Sequence, residues 1–447
     1  MTISRRTFIA GGTAAAATML IPNQLLGRDA RMRVAIVGTG IRASNMWGRD
    51  LVRDYAEHVQ IVAMSDSNPG RLAYSRQYIG ANCPTYPSAD FDRMIGETKP
   101  DQIIVTTVDS THDQYIIRGM ELGCDIITEK PLTTDEVKAR AILAAQEKTG
   151  RHITVTHNYR YSPHRQAMWE ILRSGRIGKL TSVDFHWYLD TDHGAAYFRR
   201  WHGKRANSGT LYVHKACHHF DLLNWWIDSD PQEVFAHANL DYYGKNNAFR
   251  GTNCRPCPHK GECRHYWDIS KDQHLVKLYA ENEKYDGYLR DGCVWDEKID
   301  IYDKMSAAIR YMNGVQVSYS CTTYSPYEGY RIAFNGTKGR LEAWIKERQP
   351  WSEPEDDELR ITDNFGQTHL AHVHGATGGH GGGDNRMRDK IFKDPQAADP
   401  YQQAAKVRDG VLAVLVGVAA RKSVESGNPV HISDLTDIPL KAQRPHT

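Results

Sequence analysis

A short apolar strand that runs straight into a glycine turn is the feature that most constrains the fold of this chain. Residues 33–37 have the β-branched composition of a buried strand in a parallel sheet. The turn that follows has the spacing G-x-G-x-x-A, with glycines at a tight bend and where the backbone must approach a pyrophosphate. The sequence therefore predicts a dinucleotide site on a doubly wound α/β domain, with cofactor contacts from Gly38, Gly40, Ile41 and Arg42.

A second apolar run, residues 59–64, ends at Ser65 and Asp66. Asp66 lies 26 residues after Gly40, close to where such domains place the carboxylate that hydrogen-bonds the adenosine ribose. A carboxylate at this position repels a 2′-phosphate, so NAD is favoured, while the nearby Arg71 leaves NADP open. The alternative for Asp66 is a turn residue or the N-cap of the next helix.

The motif Glu129-Lys130-Pro131, at the end of another predicted strand, makes the interpretation more specific. Combined with the glycine turn, Asp66 and a T-x-x-x-x-H segment from Thr107 to His112, it resembles the Gfo/Idh/MocA oxidoreductases. That family is named after glucose–fructose oxidoreductase and inositol dehydrogenase. The resemblance continues through an N-x-R-[FY]-x-P stretch at residues 158–163 and extends over residues 33–225.

This resemblance implies a fold class and two domains. A Rossmann domain with a doubly wound parallel sheet is expected over residues 31–155, and an α+β domain with an open, largely antiparallel sheet over residues 156–447. The second domain carries a cysteine-rich insertion at about residues 240–300. In the family this domain covers the nicotinamide and often builds dimers, so a homo-oligomer is expected. Its predicted strands are residues 181–189, 233–238, 306–311, 315–323, 330–335 and 340–344, with an amphipathic helix at residues 404–423.

The resemblance also implies roles for single residues. Lys130 lies beside the nicotinamide and the substrate hydroxyl, where burial against apolar surface lowers the pKa of an amine towards working pH. Glu129 reaches the nicotinamide ribose. The remaining cofactor contacts are expected at Thr107, Asp109, His112 and Asn158.

A histidine-rich stretch, residues 208–221, resembles the family pattern G-G-G-x-L-x-D-x-G-x-H-x-x-D. His218 matches the histidine of this pattern and Asp221 its final aspartate, whereas His214 stands where the family has an aspartate. On one helix, residues four apart share a side, so His214 and His218 are predicted to form an imidazole pair for proton transfer. The substrate is expected to contact Arg160, Tyr161, Lys215 and Asp221.

Two patterns are compatible with metal. The spacing of His214 and His218 suits zinc, but the intervening residues lack the glutamate of a metalloprotease H-E-x-x-H motif. A second pattern, C-x₂-C-x₅-C with a later cysteine, suits a structural zinc. Two disulfides are the competing interpretation in an oxidising compartment, and free thiols are the third. The cysteines concerned are Cys254, Cys257, Cys263 and Cys293.

Residues 1–30 resemble a twin-arginine export signal, because Arg5-Arg6 precedes a weakly apolar run of small residues. The sequence therefore predicts a periplasmic or secreted protein that is a client of the twin-arginine machinery. That route carries folded proteins, often around a cofactor. Since free nicotinamide cofactor is scarce outside the cytoplasm, a tightly bound NAD is expected.

Charge and hydropathy exclude several classes of partner. The net charge is +2 and like charges do not form long runs, which excludes a nucleic-acid surface or a polybasic membrane patch. No later stretch approaches the roughly 18–20 apolar residues of a membrane span. The predicted function is oxidation or reduction of a sugar, glycoside or polyol hydroxyl. The alternatives are a redox-neutral, NAD-dependent glycoside hydrolase and a non-enzymatic sugar sensor.

Overall fold

Residues 31–445 are described by a computed structural model of the chain, and they are organised around two sheets. The first sheet has six parallel strands in the order β3-β2-β1-β4-β5-β6. Its strands are β1 (Met32–Val37), β2 (Val59–Asp66), β3 (Thr85–Pro87), β4 (Gln102–Val105), β5 (Asp125–Thr128) and β6 (Ile153–Val155). The twin-arginine prediction falls on residues 1–30, outside the described residues.

The glycine turn lies at the point where the strand order of this sheet reverses. β1 is hydrogen-bonded to β2 on one side and to β4 on the other, so a crevice opens beyond its carboxyl end. After the glycine turn the chain forms a π-helical turn, Ala43–Arg49, which leads into the first connecting helix. The connecting helices are α1 (Asp50–Asp54), α2 (Pro69–Ile79), α3 (Phe91–Thr98), α4 (His112–Glu121) and α5 (Glu136–Thr149).

The second sheet has nine strands in the order β14-β13-β12-β11-β7-β10-β9-β8-β15. All neighbours are antiparallel except β7 and β10, which are parallel, so the predicted fold class is confirmed. Its strands are β7 (Leu180–Asp190), β8 (Pro231–Asn239), β9 (Lys304–Tyr311), β10 (Gln316–Ser325), β11 (Glu328–Gly336), β12 (Gly339–Arg348), β13 (Asp356–Asp363), β14 (Thr368–His374) and β15 (Val430–His431).

Alternation along the strands decides which face of this sheet is covered. In β9 every second side chain, from Met305 to Tyr311, is buried and the others face outwards. Val411, Leu412 and Leu415 of the long C-terminal helix are fully buried on the covered side. The helices of this domain are α6 (Pro163–Arg173), α7 (Thr191–Arg199), α8 (Arg205–Ser208), α9 (Leu211–His214), α10 (Cys217–Ile227), α11 (Gln273–Leu278), α12 (Glu283–Asp286), α13 (Gly383–Arg388) and α14 (Val407–Ser426).

The six predicted strands of this sheet and the C-terminal helix are confirmed, whereas β13, β14 and the two-residue β15 were not predicted. β14 alternates exposed and half-exposed side chains, so it lacks the apolar period that marks a half-buried strand. Between β8 and β9 the chain forms only short helices. In the part of the chain that the structure describes, no helix is both long and apolar enough to cross a bilayer.

Candidate active site

The glycine turn is held against the ends of the two strands that flank β1. The Gly38 N–H donates to the carbonyl of Ser65 (2.8 Å), and Thr106 Oγ1 donates to the Gly38 carbonyl (2.6 Å). Gly38 has a φ of +86°, and a Cβ there would lie 2.8 Å from the Thr106 backbone. Only glycine fits this bend, and it leaves open the backbone cradle in which a pyrophosphate is bound.

Asp66 is buried at the end of β2, directly beside this turn. Its Oδ2 accepts from the Thr39 N–H (2.6 Å) and from Thr39 Oγ1 (2.9 Å), and its Oδ1 accepts from the Asn68 N–H (2.8 Å). The N-cap of α2 is Asn68, whose side chain accepts from the Arg71 N–H (2.9 Å). The N-cap alternative for Asp66 is therefore wrong, whereas its contact with the N–H two residues on is that of a turn residue. Its role towards an adenosine ribose stays a prediction.

Arg42 links the glycine turn to the E-K-P loop and to the C-terminal domain. Its Nε donates to Glu129 Oε1 (2.6 Å), and its terminal nitrogens donate to both oxygens of Asp384 (3.1 and 3.2 Å). Trp47 Nε1 donates to the same Glu129 oxygen (2.8 Å). Burial alone would raise the pKa of the Glu129 carboxyl, but the charges of Arg42 and Lys130 bring it below its ordinary value.

Asp384 also holds Asn158, which was predicted as a cofactor contact. Asn158 Nδ2 donates to Asp384 Oδ1 (2.5 Å) and lies 2.9 Å from His380 Nδ1. Burial alone would raise the pKa of Asp384, but Arg42 and His380 hold it well below the ordinary range. The sequence marks the glycine-rich loop at residues 380–385 as one that closes over a ligand or is a flexible surface loop, but it assigns no separate role to Asp384 or His380.

Lys130 follows β5, and its charge acts on two histidines of the 208–221 stretch. Burial, followed by the charge of Lys130, holds the pKa of His214 and His218 well below the ordinary histidine value. Burial also raises the pKa of Asp109, and the positive charge of Lys130 opposes this rise. His112 lies 2.9 Å from the Pro131 carbonyl through Nδ1 and 3.3 Å from the Thr107 carbonyl through Nε2, so it positions the E-K-P loop.

His214 and His218 do not form the expected pair. His214 ends α9 and His218 belongs to α10, and the two rings have different neighbours. His214 Nδ1 lies 2.5 Å from Asp109 Oδ2, and its ring packs at 4.3 Å, edge-on, against His202. The prediction of an imidazole pair is therefore wrong, because the second proton-sharing group is the carboxylate of Asp109.

His218 is stacked on Tyr159 in a separate cluster. Their ring centroids are 4.1 Å apart, and Lys215 Nζ donates to the Tyr159 hydroxyl (2.9 Å). The buried His218 Nδ1 has no hydrogen-bond partner among the described residues. Tyr159 lines a cleft of about 760 Å³, together with His193, Glu328, Arg348 and His380. Lys215 therefore acts behind Tyr159, which is the group that faces the cleft.

Arg160 and Asp221, predicted to bind substrate, bind each other. Arg160 Nε and one terminal nitrogen donate to the two oxygens of Asp221 (2.8 and 2.6 Å), and Arg160 also reaches Asp409 (3.1 Å). Both side chains are almost fully buried, and Tyr161 packs in the core of the Rossmann domain. The prediction that these three residues contact substrate is not supported by this geometry, because their polar groups are used internally.

The cysteine cluster is assembled, but as free thiols. All four side chains line one small cavity beside Arg199, whose guanidinium donates to Cys254 Sγ (2.9 Å). Within residues 31–445, no group of three or more His, Cys, Asp or Glu side chains is placed to hold a metal ion. The structure therefore supports neither the zinc nor the disulfide prediction at Cys254, Cys257, Cys263 and Cys293.

The Asp109–His214 contact gives the first prediction. Asp109→Asn should lower kcat by about ten-fold or more, because the imidazole loses the carboxylate that orients it. Although burial raises the pKa of Asp109, its ionised form stabilises the imidazolium of His214. A variant that cannot ionise therefore lowers the pKa of His214 further and moves the acid limb of kcat/KM to lower pH. The pH profile of the variant tests this. Asp113→Asn, which removes a carboxylate 3.5 Å from Lys138, is the control. An unchanged acid limb would show that Asp109 does not act through His214.

Comparisons with known proteins agree with this architecture. Residues 32–157 match the family model "Oxidoreductase family, NAD-binding Rossmann fold" and residues 170–432 match "Oxidoreductase family, C-terminal alpha/beta domain" of the Gfo/Idh/MocA proteins. "Putative oxidoreductase YteT" of Bacillus subtilis is 36% identical over 421 residues, which cover 90% of this chain and 98% of the relative. Inositol 2-dehydrogenase 3 of Saccharopolyspora erythraea is 29% identical over 204 residues, which cover 44% of this chain and 54% of the relative.

Solved structures show the same fold at low identity. An aldose-aldose oxidoreductase from Caulobacter crescentus, complexed with glycerol, has a TM-score of 0.60 and 17% identity, and covers 90% of this chain and 99% of its own. An oxidoreductase from Agrobacterium radiobacter, in complex with NAD⁺, L-tartaric acid and magnesium, has a TM-score of 0.62 and 15% identity, and covers 91% of this chain and 100% of its own.

Proposed function

The chain belongs to the Gfo/Idh/MocA family of NAD-binding oxidoreductases, and from that premise we propose that it acts on a hydroxyl group of a sugar, glycoside or polyol. The observation that carries this proposal is the Asp109–His214 contact of 2.5 Å, in a buried place where the charge of Lys130 acts on both groups. A polar cleft of the C-terminal domain opens in front of Tyr159, on which His218 is stacked. A small polyhydroxylated ligand suits a cleft lined by charged and aromatic side chains.

The residues of the Rossmann domain fit a dinucleotide. The turn from Gly38 to Arg42 would hold the pyrophosphate, because its glycines keep the backbone open just before the helical turn that follows. Asp66 would hold the adenosine ribose, and the carboxylates of Asp66 and Asp286 around Arg71 favour NAD over NADP. Glu129 and Asn158, fixed by Arg42 and Asp384, would hold the nicotinamide end.

When bound, NAD accepts the hydride from the carbon that carries the hydroxyl. Lys130 orients this hydroxyl and passes its proton on. His214 receives protons as a neutral base, because burial and the Lys130 charge keep its imidazole unprotonated at neutral pH. His218 and Tyr159 shape the neighbouring wall of the site. Arg42, Glu129 and Asp384 fix the E-K-P loop against the glycine turn.

One observation favours a second candidate, a redox-neutral glycoside hydrolase. In place of the family aspartate, this chain has an imidazole held by a carboxylate, which adds a proton-accepting group to Lys130. Oxidation of a hydroxyl acidifies the neighbouring C–H, and a base that removes this proton allows the leaving group to depart. Addition of water and return of the hydride then complete the cycle with no net redox change.

The two candidates make different products, which gives the second prediction. The purified protein is incubated with a panel of free sugars, polyols and aryl glycosides. We expect an oxidised sugar to form, together with reduced nicotinamide or a reduced carbonyl acceptor, because hydride removed from the substrate must be carried away. Release of the aglycone with no net change in nicotinamide would contradict this and establish the hydrolase.

We also propose that the protein is exported with its NAD in place. The support is the resemblance of residues 1–30 to a twin-arginine signal. Cell fractionation of the full chain and of an Arg5→Lys, Arg6→Lys variant tests it. Retention of only the variant in the cytoplasm is the expected result, and equal distribution of both would contradict it.

A further inference from the structure

A segment of the insertion, residues 273–290, reaches back onto the dinucleotide site. The hydroxyl of Tyr279 accepts the hydrogen bond of the Ile41 N–H (2.8 Å), although the two residues are 238 positions apart. A Cβ on Gly40 would lie 3.1 Å from the same hydroxyl. Amides at this point of a G-x-G-x-x-A turn bind phosphate oxygens, so the Tyr279 hydroxyl borders the phosphate-binding face of the turn.

A second set of contacts fixes the segment near Asp66. Asn68 Nδ2 donates to the Asn282 carbonyl and to Asp286 Oδ2 (both 2.9 Å), and Arg71 donates to the same Asp286 oxygen (2.7 Å). A Cβ on Gly70 would lie 1.9 Å from Asn282 Oδ1. The segment can therefore pack this closely only because residue 70 has no side chain. The segment therefore borders both the pyrophosphate turn and the ribose carboxylate.

Two arginines at this place form no ion pair with any carboxylate of residues 31–445. The guanidinium of Arg290 lies 4.8 Å from the centre of the Tyr279 ring, and its buried Nε has no hydrogen-bond acceptor among the described residues. Arg200 donates to the Ala196 carbonyl (2.5 Å) and lines the same cleft of about 350 Å³ as Arg290. Asp192 also borders this cleft, but its side chain is 88% exposed and it lies 4.0 Å from Arg348.

Burying the two guanidinium groups of Arg200 and Arg290 without a counter-charge costs free energy, and a bound anion would lower this cost. Burial and the neighbouring Arg290 charge lower the pKa of Arg200 to about 10. An anion between the glycine turn and these arginines would relieve this repulsion. The Tyr279 hydroxyl accepts from the Ile41 amide and the Arg290 guanidinium lies against the Tyr279 ring, so Tyr279 connects this positive charge to the glycine turn.

We propose that residues 273–290 are part of the dinucleotide site, with Tyr279 and Arg290 binding the cofactor pyrophosphate, and that the Asn68–Asp286–Arg71 contacts hold the segment over it as a strap that slows release. This inference rests on the proposed NAD site. It explains how a cofactor would be retained without any covalent link. The same arginines could instead bind an anionic group of the substrate, and the experiment separates these two sources.

The third prediction concerns binding by the full chain after removal of bound nucleotide. Calorimetry with NAD, ADP and adenosine is compared for the parent and for Tyr279→Phe, Arg290→Gln and Tyr285→Phe. Arg290→Gln should weaken NAD and ADP by about ten-fold or more, since it removes a hydrogen bond to a charged group, and should leave adenosine unchanged. Tyr279→Phe keeps the ring between Arg71 and Arg290 and removes only the hydroxyl, so NAD release should be several-fold faster. Tyr285, 51% exposed on the same segment, is the matched control.

Asp286→Asn tests the strap separately. It removes the carboxylate charge that Asn68 and Arg71 contact and leaves the pyrophosphate turn unchanged. The rate of NAD release from this variant should rise while its affinity for adenosine stays the same.

Tighter NAD binding by Tyr279→Phe would overturn the proposal, since the hydroxyl would then be a competitor for the Ile41 amide. Unchanged NAD and ADP affinity of Arg290→Gln with a raised substrate KM would overturn it in favour of an anionic substrate. A parent chain that binds no NAD would instead refute the proposed function itself.

Discussion

Lys130→Met should reduce turnover by about a thousand-fold while NAD remains bound. A positioned acid–base group contributes roughly 10²–10⁴ in rate, and Lys130 is the cation that acts on Asp109, His214 and His218 together. Methionine keeps the length and apolar stem of the side chain and removes only the ammonium. The measurement is kcat/KM on the substrate found in the panel, together with the amount of nucleotide released on denaturation.

A spectroscopic result should accompany the loss of activity. A positive neighbour disfavours imidazolium, so removal of the Lys130 charge should raise the pKa of His214 and His218. NMR titration of the histidine ring protons measures this shift. Lys148→Met, on the exposed end of α5, is the control and should leave both pKa values and turnover unchanged. Full activity of Lys130→Met would refute the assignment of the lysine.

The parts of the site that sequence could predict are those that local backbone geometry dictates. The bend at Gly38 requires a glycine whatever else surrounds it, and Asp66 follows β2 at the position that the fold reserves for a carboxylate. Lys130 is fixed by the loop that leaves β5. For the same reason, the apolar period of β9 and β10 predicted two strands of the second sheet correctly.

The parts that sequence could not predict depend on pairs of residues that are distant along the chain. Arg42 and Asp384 are 342 positions apart, and His214 and Asp109 are 105 apart. No periodicity or motif encodes such a pair, so the aspartate missing at position 214 looked like a lost carboxylate. The structure shows that Asp109 supplies a carboxylate to the same place from another element. The contact of the Ile41 amide with Tyr279, 238 positions away, belongs to this class as well.

The prediction for Arg160 and Asp221 failed for the same reason. A motif identifies a residue, but it does not say which group the charged side chain contacts. An arginine and an aspartate that resemble ligand-binding residues satisfy each other in the core. The buried pair fixes the start of α6 and the middle of α10 relative to α14, which also carries Asp409. These elements position Tyr159 and His218, so the pair shapes the site from behind.

Asp221→Ala should lower the free energy of unfolding by about 3–5 kcal/mol, because it leaves the Arg160 guanidinium buried with only Asp409 beside it. Thermal and denaturant unfolding of the parent and the variant measure this loss. Asp92→Ala is the matched control, since Asp92 pairs with Arg118 at 2.6 Å with both side chains about half exposed, and should cost about 0–1 kcal/mol. A variant with parent stability and a raised substrate KM would contradict this prediction and return Asp221 to the substrate site. Loss of stability with an unchanged KM in the fraction that remains folded would establish that the pair supports the site only through the helices it joins.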